Sequence, residues 1–210
     1  MKLLPNSELY DTGYCVLFVR GISPVDVFPR IVGDEDCRPV SVDRMEAEVI
    51  KMAGEDLEEE DVPALDIDEL RSSGMICDEG PLLRAGTHGD WCFVIESEGP
   101  YLAKNEIIRS ASRATVALSV LKSESGTSWI SYAEDGEILA SFDPLLPQHD
   151  NGSRPDILDE ITGYREAIEL GDPEEAHENA LRKIQYGLGC AVPQEADASS
   201  MLAIRIPGGY

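Results

Sequence analysis

Two apolar, β-rich runs, Tyr14-Cys-Val-Leu-Phe-Val-Arg20 and Trp91-Cys-Phe-Val-Ile-Glu96, most constrain what this chain can fold into. Each is a continuous apolar stretch bounded by turn residues, the pattern of a buried strand, and each is followed by a helical pattern. After the first, Gly21 turns the chain, Ser23 can cap a helix, Pro24 suits its first position and Asp26 stands three residues beyond the cap. Val25, Phe28 and Ile31 supply an inner face, and Gly33 closes the helix. After the second, Gly99 and Pro100 lead into a helix over about 103–112 with Leu102, Ile107 and Ile108 facing inward. Two strand-turn-helix units of this kind place the chain among sheets with packed helices.

The segments between and after these units add strands. Leu82 to Ala85 precedes a turn over Gly86 to Asp90, with His88 inside it, and pairs with the Trp91 strand as a hairpin. Thr115 to Leu121, Ser128 to Ala133 and Glu137 to Phe142 form a meander, the last two joined by the turn Glu134-Asp-Gly136. Ser41 opens a second helix in which Met45, Val49 and Met52 recur at helical spacing as far as Gly54, and 66–72 adds a further helical turn or two. A sharp change in composition over Asp143 to Ser153 divides a sheet domain, residues 1–147, from a helical extension, residues 148–210. In that extension Ile157, Ile161, Tyr164 and Ile168 line one helix. Asp172-Pro173 opens a second, with Ala176, Ala180, Leu181, Ile184 and Leu188 inside. Ala203 to Ile206 reads as an edge strand or ordered tail. The expected fold is α+β: an antiparallel or mixed sheet of five to six strands, helices mainly on one face, and a C-terminal helical pair packed on the sheet.

Three stretches in this order, Cys15-Val-Leu-Phe-Val-Arg-Gly-Ile-Ser-Pro24, Gly89-Asp-Trp-Cys-Phe-Val-Ile-Glu96 and Ser131-Tyr-Ala-Glu-Asp-Gly-Glu137 followed by Ser141-Phe-Asp-Pro144, resemble the hallmark segments of an uncharacterised domain family widespread in actinobacteria. The resemblance spans roughly residues 12–190. It implies no activity and no catalytic or binding residues.

Function is constrained most by charge. The 210 residues carry 41 Asp and Glu against 17 Lys and Arg, a net charge of −24. Neutralising phosphate takes clustered cations, so direct nucleic-acid binding and attachment to acidic membranes are both disfavoured. The excess is concentrated: Ser41 to Asp61 holds nine carboxylates, with an acidic loop near 54–65 carrying Glu55, Asp56, Glu58, Glu59, Glu60 and Asp61. Dense like charge of this kind is expected to repel itself and bury nothing. Five cysteines at unrelated spacings, no CxxC pair and no apolar leader indicate a reduced, cytoplasmic protein with neither a disulfide framework nor a zinc ribbon. Cys15 and Cys92, inside apolar runs, read as small buried hydrophobes. No apolar run approaches the roughly 20 residues that span a bilayer.

No catalytic motif stands out, and neither a cofactor nor a metal site is expected. His149 and His177 have no Cys or His at ligand spacing, and the acidic run lacks the alternating ligands and central Gly of a calcium loop. The expectation is a soluble acidic protein-binding domain of the immunity or antitoxin type, whose Glu55–Asp61 run steers a basic toxin or effector and occludes it. Trp91 and Trp129 are candidate anchors if exposed. Two alternatives remain. One is a nucleic-acid mimic, which requires the acidic run to be ordered. The other is an enzyme with a pocket around His88, Asp90 and Glu96, where imidazole and carboxylates could exchange protons.

Overall fold

In the computed structural model, which describes residues 3, 10, 12–33, 37–146, 150–172 and 175–208, β1 (Gly13–Arg20) lies inside an antiparallel sheet. Its neighbours are β4 (Trp91–Glu96) and β5 (Val116–Ser123), so that Phe18 stands opposite both Phe93 and Leu118. Helices cover both sheet faces. Successive residues of β1 therefore enter two different cores, and every residue from Gly13 to Val19 is buried. A strand covered on both sides has no polar face, which is why its sequence is apolar without alternation.

The described strands form one sheet of eight, not five or six, in the order β2-β8-β3-β4-β1-β5-β6-β7. Here β2 is Val40–Val42, β3 Leu82–His88, β6 Ser128–Glu134, β7 Glu137–Phe142 and β8 Met201–Arg205. All pairings are antiparallel. The two additional strands are β2 and β8. Three residues are too few for β2 to show a period, and β8, read from sequence as an edge or tail, is held inside the sheet between β2 and β3. The β3–β4 turn is also tighter than the sequence suggests. His88 is the last strand residue, opposite Trp91, and only Gly89 and Asp90 form the turn, with Gly89 at φ +57°.

Helices on both faces correct the one-sided expectation. On one face α1 (Pro24–Val32) and α4 (Asn105–Ala111) set Val27, Phe28, Ile31, Ile107 and Ala111 against Cys15, Leu17, Val19, Cys92 and Val94. Ser23 caps α1 through the Asp26 amide and Gly33 ends it in a left-handed conformation, as the sequence indicates, although Val25 points to solvent and Val27 takes its inner place. The other face is covered by α5 (Ile157–Thr162), α6 (Tyr164–Leu170) and α7 (Ala176–Leu188), whose Leu158, Tyr164, Ala180, Leu181 and Ile184 pack on Val16, Phe18, Phe93, Leu118 and Phe142. The expected pair of C-terminal helices is thus three, because Gly163 at φ +65° breaks the first into α5 and α6. Tyr164 fixes the break by stacking on Phe142, ring centroids 4.4 Å apart. Glu175 occupies the position before α7 without a side-chain cap; the expected Pro173 lies outside the described residues. A short α8 (Gln194–Ala198) precedes β8.

A third core closes the β2 end of the sheet. There α2 (Arg44–Ala53) and α3 (Ile67–Ser72) cover Val40, Val42, Leu82 and Ala203 with Ala47, Ile50 and Leu70. Ser41 belongs to β2 and not to the helix; α2 begins after Asp43 in a capping box, Asp43 accepting from the Glu46 amide at 2.9 Å and Glu46 from the Asp43 amide at 2.7 Å. The strand-to-helix switch therefore sits two residues later than the sequence pattern places it.

Candidate functional site

The nine carboxylates between Ser41 and Asp61 fall into two groups. Asp43 and Glu46 are consumed by the α2 capping box, and Glu48 pairs with Lys51 at 3.5 Å. The remaining six, Glu55, Asp56, Glu58, Glu59, Glu60 and Asp61, are all exposed, and among the described residues none forms an ion pair. They are not a structureless loop. A 3-10 turn over Gly54–Asp56 is tied down by the Asp78 carboxylate, which accepts from the Glu55 amide at 3.1 Å. Asp61 accepts from the Glu58 amide at 3.0 Å and closes the next turn. Leu57 and Val62, at either end of the run of four carboxylates, are buried in the third core. The expectation that this stretch buries nothing is therefore wrong: two apolar residues interleaved with the acids fasten it, and burying each contributes about 1.5–3 kcal/mol. The result is an ordered ridge of unpaired negative charge.

The helix feeding this ridge faces opposite to the way its sequence suggests. Met45, Val49 and Met52 do form one stripe, but Met45 is 64% and Met52 84% exposed, with Val49 only partly tucked against the core. Ala47 and Ile50 are the residues that α2 buries. The capping box sets where α2 begins, and packing against β2 and β8 turns the small Ala47 and branched Ile50 inward and the methionines outward. A largely exposed apolar stripe thus leads directly into the ridge.

The structure does not assemble the alternative proton-transfer site. His88 and Glu96 lie at opposite ends of the β3–β4 hairpin, about 17 Å apart at the usual strand rise. Asp90 is exposed beside Arg20, at 4.0 Å. Glu96 is shut inside the opposite core, where its two oxygens accept from the Tyr101 and Leu102 amides at 3.2 and 3.0 Å and clamp the connection into α4. Burial outweighs those two bonds and pushes its carboxyl up to about 7. It is a structural acid with no access to substrate. Trp91 is equally enclosed, its indole N–H donating to the Leu188 carbonyl at 3.1 Å. Trp129 is partly exposed and donates to Ser141 at 2.7 Å, in an open polar cleft remote in sequence from the ridge.

Two buried polar networks escape sequence reasoning. Tyr14, Lys122 and Ser128 are aligned across β1, β5 and β6 by register and meet the first turn of α7. His177 is wedged there between the Ser128 hydroxyl at Nδ1 and Tyr14 Oη at Nε2, 3.3 Å away, while Lys122 binds Glu178 at 2.7 Å. Burial, with Lys122 nearby and only partly offset by Glu178, pulls the imidazole down to about 4. A serine and a histidine in contact suggest hydrolytic chemistry, but both are buried, as is Tyr14. The second network centres on Asp197 of α8, fully buried, which accepts from Tyr10 at 2.6 Å, Arg44 at 3.2 Å and Arg84 at 3.3 Å. It joins β3, α2 and α8 and leaves only a water-sized gap beside it. Long-range partnerships of this sort have no local sequence signature.

Among the described residues no group of His, Cys, Asp or Glu could hold a metal ion, and no helix is long and apolar enough to cross a membrane. None of the five cysteines is disulfide-bonded. No curated protein and no solved structure matches the chain. One family model does, over residues 6–183, and by that match the chain belongs to DUF6461, a family of unknown function.

Proposed function

We propose that the protein is a binding domain that captures a basic protein partner on the Glu55–Asp61 ridge and the adjoining Met45–Met52 stripe, and acts by covering the partner's functional surface. The observation that carries this reading is the juxtaposition of unpaired, ordered carboxylates with two exposed methionines on one short segment. Charge at such a surface accelerates encounter, while apolar side chains, methionine above all, supply adaptable contact once the partner has docked. An immunity- or antitoxin-type role, in the cytoplasm and against a basic effector, is the biological form we propose for it.

The order of the ridge also meets the requirement of the nucleic-acid-mimic alternative, in which the partner is itself a DNA- or RNA-binding protein. Competition by free DNA for the captured partner separates the two.

The reading is tested by capture from native lysate on three baits. These are the wild-type chain, a ridge variant (Glu55, Glu58, Glu59 and Glu60→Lys), and a control carrying the same charge change elsewhere (Glu124, Glu166, Glu169 and Glu195→Lys). A basic protein held by wild type and control but lost from the ridge variant supports the proposal. Equal loss from both variants reduces the attraction to net charge and contradicts it.

A further inference from the structure

The β3–β4 turn and the C-terminal end of α7 border an open, solvent-facing cavity of about 330 Å³ that the binding reading does not use. Its volume is within the range of small-molecule sites, and its lining is mostly apolar, with His88, Arg182, Gln185 and Tyr186 as the polar groups. One of these is anomalous. Gln185 is only 5% exposed, yet neither its amide nitrogen nor its amide oxygen has a hydrogen-bond partner. A buried amide left unpaired is costly, and a leucine of similar size would fill the space without that cost, so packing gives no reason for it.

A carboxamide sets a donor and an acceptor side by side, and it pairs with a ligand edge that carries the reverse order. Tyr186, 90% exposed at the rim, offers an aromatic face for a flat ligand. Arg182 and His88 flank the mouth, where an anionic substituent would find hydrogen-bond donors. From the cavity and the orphaned amide together we infer that this is a second site, which binds a small planar molecule through an adjacent donor–acceptor edge, as a nucleobase or a primary carboxamide presents. Cys190, also in the wall, takes no covalent part: burial pushes its thiol up to about 12, and it stays protonated.

The test is a titration of the ¹⁵N-labelled full chain with adenosine, AMP, uridine and nicotinamide, following the side-chain NH₂ resonances of Gln185. A saturable shift of that pair with at least one probe is expected. The nucleosides and nicotinamide distinguish a base edge from a carboxamide, and a gain for AMP over adenosine assigns Arg182 to the phosphate. Gln185→Leu removes the amide at constant volume and weakens binding roughly tenfold or more. Should that variant fail to fold, Tyr186→Ala, at an exposed position, also weakens binding. No movement of the Gln185 resonances with any probe overturns the inference, as does undiminished affinity in a folded Gln185→Leu or in Tyr186→Ala.

Discussion

Two buried titratable groups pull stability in opposite directions with pH, and replacing each in turn should expose the other. Glu96 is raised by burial from 4.5 to about 7, so over that interval the folded chain holds a proton that the unfolded chain has released. Stability therefore falls as pH rises through the window, at up to about 1.4 kcal/mol per unit for one proton and by about 2 kcal/mol in all from pH 5 to 7. His177 is depressed by burial from 6.5 to about 4, so there the unfolded chain binds the proton and the folded chain does not. Its contribution rises with pH, by about 2 kcal/mol from pH 5 to 6.5. In the wild type the two terms nearly cancel up to pH 6.5. The assay is urea unfolding of wild type, Glu96→Gln and His177→Gln at half-unit steps from pH 5, above the sequence pI of about 4.3. Wild-type stability minus that of Glu96→Gln should fall by about 2 kcal/mol between pH 5 and 7, and minus that of His177→Gln should rise by about 2 kcal/mol between pH 5 and 6.5. Taking differences removes the titration of the surface carboxylates, which all three chains share. Curves that run parallel for either variant refute the burial argument at that residue.

Asp197→Asn leaves the guanidinium groups of Arg44 and Arg84 without their buried counter-charge. It should cost about 3–5 kcal/mol in the urea midpoint analysis. Leu57→Ala removes one of the two side chains fastening the acidic ridge; a loss of about 2–5 kcal/mol is expected, with faster amide hydrogen exchange over 55–62. Alkylation of the native protein should modify only Cys37 and Cys77, which are partly exposed, while Cys15, Cys92 and Cys190 react only in denaturant. Mass spectrometry counts two adducts in the first case and five in the second.

How far the sequence discloses this fold depends on the range of the interactions involved. The buried run of β1, the Ser23 cap of α1, and the Asp135-Gly136 turn between β6 and β7 are written locally, and each is where the sequence puts it. The rotation of α2 is not. Met45, Val49 and Met52 satisfy a helical period as well as Ala47 and Ile50 do, and only contact with β2 and β8 decides which stripe is buried. For the same reason β8 reads as a tail, since its partners lie more than a hundred residues away at β3 and β2. At the candidate site the six carboxylates are legible, but their order is not. Leu57 and Val62 look like isolated apolar residues in a charged run until the third core shows what they meet. Gln185 carries no signal at all; its lack of partners is a property of the packed structure.

The central claim, that the ridge steers a basic partner, is tested most directly by association kinetics. The rate constant for the partner recovered on the wild-type bait is measured by stopped flow across a series of salt concentrations, for wild type and for the four-charge ridge variant. Association that is fast at low salt, falls steeply with ionic strength in the wild type, and becomes slower and nearly salt-independent in the variant is the predicted result. Identical rates and identical salt dependence for the two chains would contradict it, leaving the ridge a solvated surface with no part in recognition.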